Sequence, residues 1–274
     1  MRLPLIALGM IATLCVGYAR AATAPVGDRQ YVREQHTVIV RGVPETWRLV
    51  WTGKPSTMCG PQGMDMAITC PCSGWAYGES GNLSLVRVRG GQEVERMKLA
   101  PLFGKFDYPA GEVGTGKAYL QRWPAKLSDF DRSERGDGRL VPEIKRRQAP
   151  QIMRPADYDH DGEATEFLIQ VGTMPCGKLQ FAAIGVSVGS PRLHALSSTA
   201  HPNKPLMMPL RAWQALLRSS HPGPVIVWNC GDHGSEVQSE LILSASRGEI
   251  RAMDRDRACH ADGSLGPPVK GFEL

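Results

Sequence analysis

Three aspartates on alternate residues, Asp157, Asp159 and Asp161, form the part of this chain whose spacing most clearly predicts chemistry. Gly162 follows them directly and permits the sharp turn that a residue without a Cβ makes at low cost. Three carboxylates within ~4 Å of a common centre would repel one another by ~1 kcal/mol per pair even in water. A hard cation bound through oxygen removes that repulsion, so the run predicts a calcium site.

The other expected ligands follow from their place in the loop. Calcium takes about six to eight oxygens from carboxylates, backbone carbonyls and water. We expect the three aspartate side chains to bind together with the backbone carbonyl of Glu163. Glu166 is the nearest acid that can close the site, either directly or through a water molecule.

This run resembles the calcium loops of EF-hands and of the FG-GAP repeats in integrin-type propellers. An EF-hand has a helix on each side and ends its loop with a bidentate glutamate, where this chain has Leu168. FG-GAP loops place their last carboxylate where this chain has Thr165. Because the apolar segment 167–171 predicts a buried strand, the flanks favour the FG-GAP arrangement. The resemblance covers about fifteen residues, so it identifies a site rather than a family.

The first residues predict export. Arg2 precedes the largely apolar stretch Leu3–Ala19, and Ala19–Ala21 supplies the small-x-small pattern of a signal peptidase site. We therefore interpret residues 1–21 as a signal peptide and predict a periplasmic or extracellular protein. No later segment is apolar over enough residues to cross a bilayer, so we predict no transmembrane segment in the mature chain.

Cysteine usage agrees with export. The mature chain would keep six cysteines: Cys59, Cys70, Cys72, Cys176, Cys230 and Cys259. An even number in an oxidising compartment predicts three disulfides. Cys70 and Cys72 are too close to pair with each other, so we expect one of them to bond Cys59 and the other Cys176. The last two cysteines then pair, closing a loop worth ~3–4 kcal/mol in the chain-entropy model.

Two other motifs resemble functional sites. Gly111–Lys117 fits most of a phosphate-binding loop, but Ala118 stands where a magnesium-binding Ser or Thr belongs, so we interpret it as a glycine-rich turn. Cys230–His233 and Cys259–His260 together have the spacing of a zinc site. In an oxidising compartment thiols pair before they meet zinc, so a disulfide is the competing interpretation.

The rest of the chain predicts a mainly β protein of antiparallel hairpins, in sandwich- or propeller-like pieces, with one or two short helices. Turn signals at Gly42–Pro44 and Gly90–Gly91 predict two hairpins. The amphipathic segment Pro209–Arg218 predicts a helix, and Pro142–Arg147 a shorter one. Ser128–Gly138 is polar and charged, which predicts a flexible loop. The predicted strands are 36–41, 47–51, 83–89, 93–99, 167–171, 179–188, 192–196, 225–228, 240–245 and 249–253.

That loop separates two predicted parts of the mature chain. Residues 22–127 form an N-terminal β part that includes the first three mature cysteines, and residues 139–274 form a C-terminal β part with the calcium loop. The second part contains one possible internal repeat, which we call the internal echo: Glu166-Phe-Leu-Ile is matched by Glu240-Leu-Ile-Leu after Asp232–Glu236. This echo is either a degenerate repeat or a chance match.

Composition limits the function classes. The formal net charge of +5 falls to +3 without Arg2 and Arg20, and the basic residues are scattered, which argues against nucleic acid as a partner. No Gly-x-Ser-x-Gly or His-Glu-x-x-His motif marks a catalytic site. We therefore expect an exported, calcium-binding, disulfide-stabilised β protein with a structural or binding role and a macromolecular partner that the sequence does not identify. The alternative is a secreted calcium-dependent hydrolase with an unlocated active site.

Overall fold

The computed structural model describes residues 29–60, 75–103, 116–174 and 178–274. Within these ranges the chain forms three antiparallel sheets and three short α-helices, which confirms the mainly β prediction. The predicted signal peptide, residues 1–21, lies outside the described ranges.

The first sheet has the order β1-β2-β3-β4, and β5 pairs with β3. Its strands are β1 Gln30–Val40, β2 Val43–Met58, β3 Gly78–Arg89, β4 Gln92–Lys98 and β5 Ala118–Gln121. Both predicted hairpins are present. Arg41 and Gly42 between β1 and β2, and Gly90 and Gly91 between β3 and β4, all have positive φ, as a two-residue hairpin turn with the twist of the strands requires.

The second and third sheets follow in the chain. The second has the order β6-β7-β8, with β9 paired to β7: β6 Glu166–Met174, β7 Lys178–Gly185, β8 His194–Ala195 and β9 Met207–Pro209. The third has the order β10-β11-β12-β13: Val225–Trp228, Val237–Ser246, Glu249–Cys259 and Leu265–Glu273. Sequence patterns did not predict β5, β9 or β13, two of which are four residues long or less.

The helices are α1 Ser128–Glu134, α2 Leu140–Arg146 and α3 Leu210–Arg218. The last two begin and end within two residues of the predicted segments, but the prediction of a flexible loop at Ser128–Gly138 was wrong. Asp129 of α1 is fully buried and accepts hydrogen bonds from Arg147 at 2.6 and 2.7 Å, which holds this polar segment in a helix. No helix in the described ranges has the length and apolar character needed to span a membrane.

The second sheet is the central layer. Alternate residues of a strand point to opposite faces, and here both faces are buried. Phe167 and Ile169 of β6 pack into one core with Trp47 and Leu85 of the first sheet. Leu168 belongs to the other core, where α3 and the third sheet cover the opposite face. Both of the parts predicted from the sequence contribute side chains to the first core.

The cysteines in the described ranges are oxidised. Cys230 and Cys259 form the expected disulfide, which removes both thiolates from the alternative zinc site. Cys59 is also disulfide-bonded. Cys70, Cys72 and Cys176, like most of the glycine-rich segment 111–117, lie outside the described residues.

One buried ion-pair network lies within the first sheet. Glu45 of β2 is 1% exposed and accepts hydrogen bonds from Arg87, Arg89 and the indole of Trp47. Burial by itself raises the pKa of the Glu45 carboxyl, but the hydrogen bonds from Arg87, Arg89 and Trp47 outweigh it and lower the pKa from 4.5 to about 2. The charged form of Glu45 therefore stabilises the fold.

Lowering the pH should reveal how much the ionised Glu45 carboxylate stabilises the fold. Because the folded-state pKa of Glu45 is depressed, its stabilisation is present above about pH 4.5 and is lost as the pH falls toward about 2, on the order of 3 kcal/mol. Urea unfolding measured from about pH 6 to pH 2.5 should show a steeper loss of unfolding free energy in the unmutated protein than in Glu45→Gln. The exposed control Glu134→Gln should follow the unmutated protein, and parallel curves for all three proteins would contradict the pKa assignment.

Candidate metal centre

The acidic loop begins and ends at one pair of backbone hydrogen bonds. The Ala156 N–H donates to the Glu166 carbonyl at 2.8 Å, and the Glu166 N–H donates to the Ala156 carbonyl at 3.1 Å. This bridge closes the loop and brings Asp157 next to Glu166, the first residue of β6. The loop therefore lies between an extended segment and a strand, without the two flanking helices of an EF-hand.

Three of the five predicted ligands come together. Asp157, Asp159 and Glu166 each present a carboxylate oxygen, and these oxygens lie within 4.8 Å of one another. Asp159 and Glu166 are both 0% exposed, whereas Asp157 is partly exposed. The sequence left the closing ligand open, and the structure places the Glu166 carboxylate in this group. The three side chains could hold a metal ion.

Backbone N–H groups of the loop orient the first two carboxylates. The Asp161 N–H donates to Asp157 Oδ1 at 3.0 Å and lies 3.2 Å from Asp159 Oδ1. The Gly162 N–H donates to Asp157 Oδ2 at 3.1 Å. Gly162 has a φ of 97°, which a residue with a Cβ rarely adopts. The glycine that the sequence pattern indicated is therefore the residue that lets the loop close.

The other two predicted ligands lie outside the group of three. Asp161 accepts hydrogen bonds from the N–H groups of Glu163, at 2.8 Å, and Val188, at 2.5 Å. The Glu163 carboxylate accepts from the N–H of Arg41 at 3.1 Å, and its carbonyl accepts from the N–H of Thr165 at 3.0 Å. Their part in metal binding stays a prediction.

The end of β7 and the residues after it supply two contacts that were not predicted from the sequence. The Ser187 hydroxyl, just beyond β7, donates to Asp159 Oδ2 at 2.5 Å. Gly185 pairs with Glu166 across the sheet, and a Cβ at Gly185 would lie 2.2 Å from the Thr165 carbonyl oxygen. The only signal in the sequence was a glycine at the end of a predicted strand, which often marks a close backbone approach.

The loop also contacts the third sheet and α3. The N–H groups of Arg247 and Gly248, in the turn between β11 and β12, donate to the carbonyls of His160 at 3.0 Å and Asp159 at 3.1 Å. His160 Nε2 lies 2.7 Å from the carbonyl oxygen of Leu216 in α3. Together with the Arg41 N–H of the first sheet, which donates to Glu163, these contacts hydrogen-bond the loop to elements on both sides of the central sheet.

Burial dominates the electrostatics of this site. Burial, followed by repulsion from Asp159, raises the pKa of Glu166 from 4.5 to about 9, although hydrogen bonds from Thr165 and the Tyr158 N–H favour the charged form. Burial also raises the pKa of Asp159, and the charges of Asp161 and Asp157 add to that effect. The two buried carboxylates therefore need either a cation or a proton between them.

Other buried acids in the described ranges show how this chain normally neutralises such groups. Four have an arginine partner: Glu45 with Arg87, Glu79 with Arg33, Asp129 with Arg147, and Glu240 with Arg255. Asp159 and Glu166 are buried just as deeply, yet neither forms an ion pair with any Lys, Arg or His among the described residues. Among the buried acids that the structure describes, only Asp159 and Glu166 have no positively charged partner.

The internal echo does not repeat the site. Glu240, the counterpart of Glu166, lies 2.6 Å from the guanidinium of Arg255. Asp232 pairs with Lys178 at 2.8 Å. The acids of the second segment are thus neutralised by basic side chains, and the match with the calcium loop is confined to the sequence.

Comparisons with known proteins identify no relative of this chain. No protein-family model, curated protein or solved structure matches this chain.

Gly185→Ala should test the contact that positions Glu166. The new Cβ would lie 2.2 Å from the Thr165 carbonyl oxygen, so β6 and β7 must separate or the loop must shift. We expect urea unfolding to show a loss of about 2 kcal/mol or more. Gly189→Ala, where a Cβ meets nothing within 4 Å, is the matched control and should change stability by less than about 0.5 kcal/mol. Equal effects of the two substitutions would contradict the close approach.

Proposed function

We propose that this protein is an exported, calcium-binding, disulfide-stabilised β protein in which the ion has a structural or binding role. One observation carries the proposal: Asp159 and Glu166 are fully buried side by side without the arginine partner that the other buried acids have. Uncompensated burial of an ionised carboxylate costs several kcal/mol. A divalent cation would compensate both carboxylates and the partly exposed Asp157 at once.

The donor set supports calcium over the transition metals. All three converging groups are carboxylates, and no histidine nitrogen or cysteine sulfur belongs to the group. Oxygen-only sets suit the hard cations calcium and magnesium, whereas zinc, copper and iron favour nitrogen or sulfur. Calcium accepts the irregular, many-oxygen geometry of a flexible loop more readily than magnesium does. Asp161 and the Glu163 carbonyl are the nearby oxygens proposed to complete the shell.

The position of the loop supports a structural role for the ion. The loop contacts the turn between β1 and β2 through Glu163, β7 through Gly185, and the turn between β11 and β12 through Gly248. A cation that fixes the loop would therefore fix contacts to all three sheets. The Cys230–Cys259 disulfide is consistent with the proposed export, because disulfides persist in oxidising compartments.

Calcium should raise the melting temperature of the mature protein. Extracellular calcium modules bind at ~0.1–1 mM, so about 1 mM calcium should stabilise the fold by up to ~1.4 kcal/mol relative to chelator. That stabilisation corresponds to a rise of a few degrees in a chain of this size. Asp159→Ala and the isosteric Glu166→Gln should both abolish the rise, whereas Glu134→Gln, on the exposed end of α1, should keep it. Calorimetry should detect one calcium ion per chain.

Two outcomes would contradict this proposal. The first is an identical melting temperature in calcium and in chelator together with no calorimetric binding, which would mean that a proton rather than a metal ion neutralises the carboxylates. The second is calcium-dependent turnover of generic esterase, protease or glycosidase substrates. Such turnover, abolished by Asp159→Ala, would support the hydrolase alternative instead.

A further inference from the structure

A cleft of about 510 Å³ lies where β5, β6 and α3 meet. Its inner wall is apolar and aromatic, and includes Tyr119, Tyr158 and Phe181. The volume falls within the range of ~300–1,000 Å³ that is typical of small-molecule sites. Tyr158 of this wall stands between Asp157 and Asp159 in the chain, so the cleft adjoins the acidic loop.

The charge among the described lining residues of the cleft is positive only. Arg154 is the one charged side chain among the described lining residues, and no carboxylate lines the cleft there. Arg154 is solvent-exposed and forms no hydrogen bond or ion pair within the described ranges. This differs from Arg33, Arg87, Arg147 and Arg255, each of which pairs with a buried acid. The guanidinium of Arg154 is therefore available to an anion from outside.

Exposed leucines extend the apolar surface to the mouth of the cleft. Leu210 and Leu217, on α3, are 40% and 39% exposed and both line the cleft. Lone exposed leucines are common on protein surfaces, but these two continue the apolar wall outward. The cleft thus combines a long apolar surface with one unpaired positive charge.

We propose that this cleft binds a monoanionic amphiphile, an apolar chain or ring system that carries one carboxylate. The carboxylate pairs with the guanidinium of Arg154, and the apolar body lies against Tyr119, Tyr158 and Phe181. The inference goes beyond the calcium proposal and uses no metal ligand, so either can fail while the other stands.

Straight-chain carboxylates test this site. Octanoate, decanoate and dodecanoate, each below its micellar concentration, are titrated calorimetrically into the mature chain in about 1 mM calcium. We expect saturable one-to-one binding that strengthens roughly threefold to fourfold per added methylene. Decanol, which has the same chain length and no charge, should bind at least about tenfold more weakly than decanoate.

Amino-acid substitutions distinguish a specific binding site from non-specific adsorption of the ligand. Arg154→Gln should weaken decanoate binding at least about tenfold and leave decanol binding unchanged. Leu217→Glu places a negative charge at the mouth of the cleft and should also weaken decanoate binding. Arg251→Gln, which removes an exposed arginine on β12 far along the chain, is the matched control and should bind normally. Absence of saturable binding for all three acids, or equal binding of decanoate by the unmutated protein and Arg154→Gln, would overturn the proposal.

Discussion

The burial of two adjacent carboxylates, Asp159 and Glu166, is the constraint to which the surrounding structure responds. Neither side chain is exposed to solvent, and neither meets a basic side chain in the described part of the chain. In water their charges would be screened and hydrated, whereas in the protein interior each charge costs several kcal/mol unless it is compensated. The hydrogen bonds from Ser187, Thr165 and loop N–H groups compensate only part of that cost. The proposed calcium ion would supply the rest.

The location of these carboxylates connects local chemistry to the whole fold. The second sheet is buried on both faces, and β6 begins at Glu166, so any displacement of this residue reaches both cores. The same loop receives hydrogen bonds from the β1–β2 and β11–β12 turns. The three layers therefore meet at the acidic loop as well as through the two hydrophobic cores. A bound cation would couple loop order to the packing of all three layers, as metal binding generally couples to folding.

Local signals in the sequence were sufficient for part of this structure. The hairpin turns at Gly42 and Gly90, and the amphipathic helix α3, depend on residues close in sequence and were predicted. Helix α1 was not, because it is held by the buried pair of Asp129 with Arg147, which lies eighteen residues away. In the same way, the aspartate spacing predicted the loop, but Gly185 contributes from a neighbouring strand whose register no local pattern specifies. Asp161 lies outside the converging group, and its carboxylate accepts hydrogen bonds from the N–H groups of Val188 and Glu163.

A crystal structure of the mature protein grown in millimolar calcium would test the central claim most directly. The calcium proposal predicts a strong anomalous peak at ~2.3–2.6 Å from carboxylate oxygens of Asp157, Asp159 and Glu166, with about six to eight oxygens around it. A contradictory result would be a site without anomalous signal, in which an oxygen of Asp159 and one of Glu166 lie at the ~2.5–2.7 Å of a strong hydrogen bond. That geometry would show a shared proton in place of the ion.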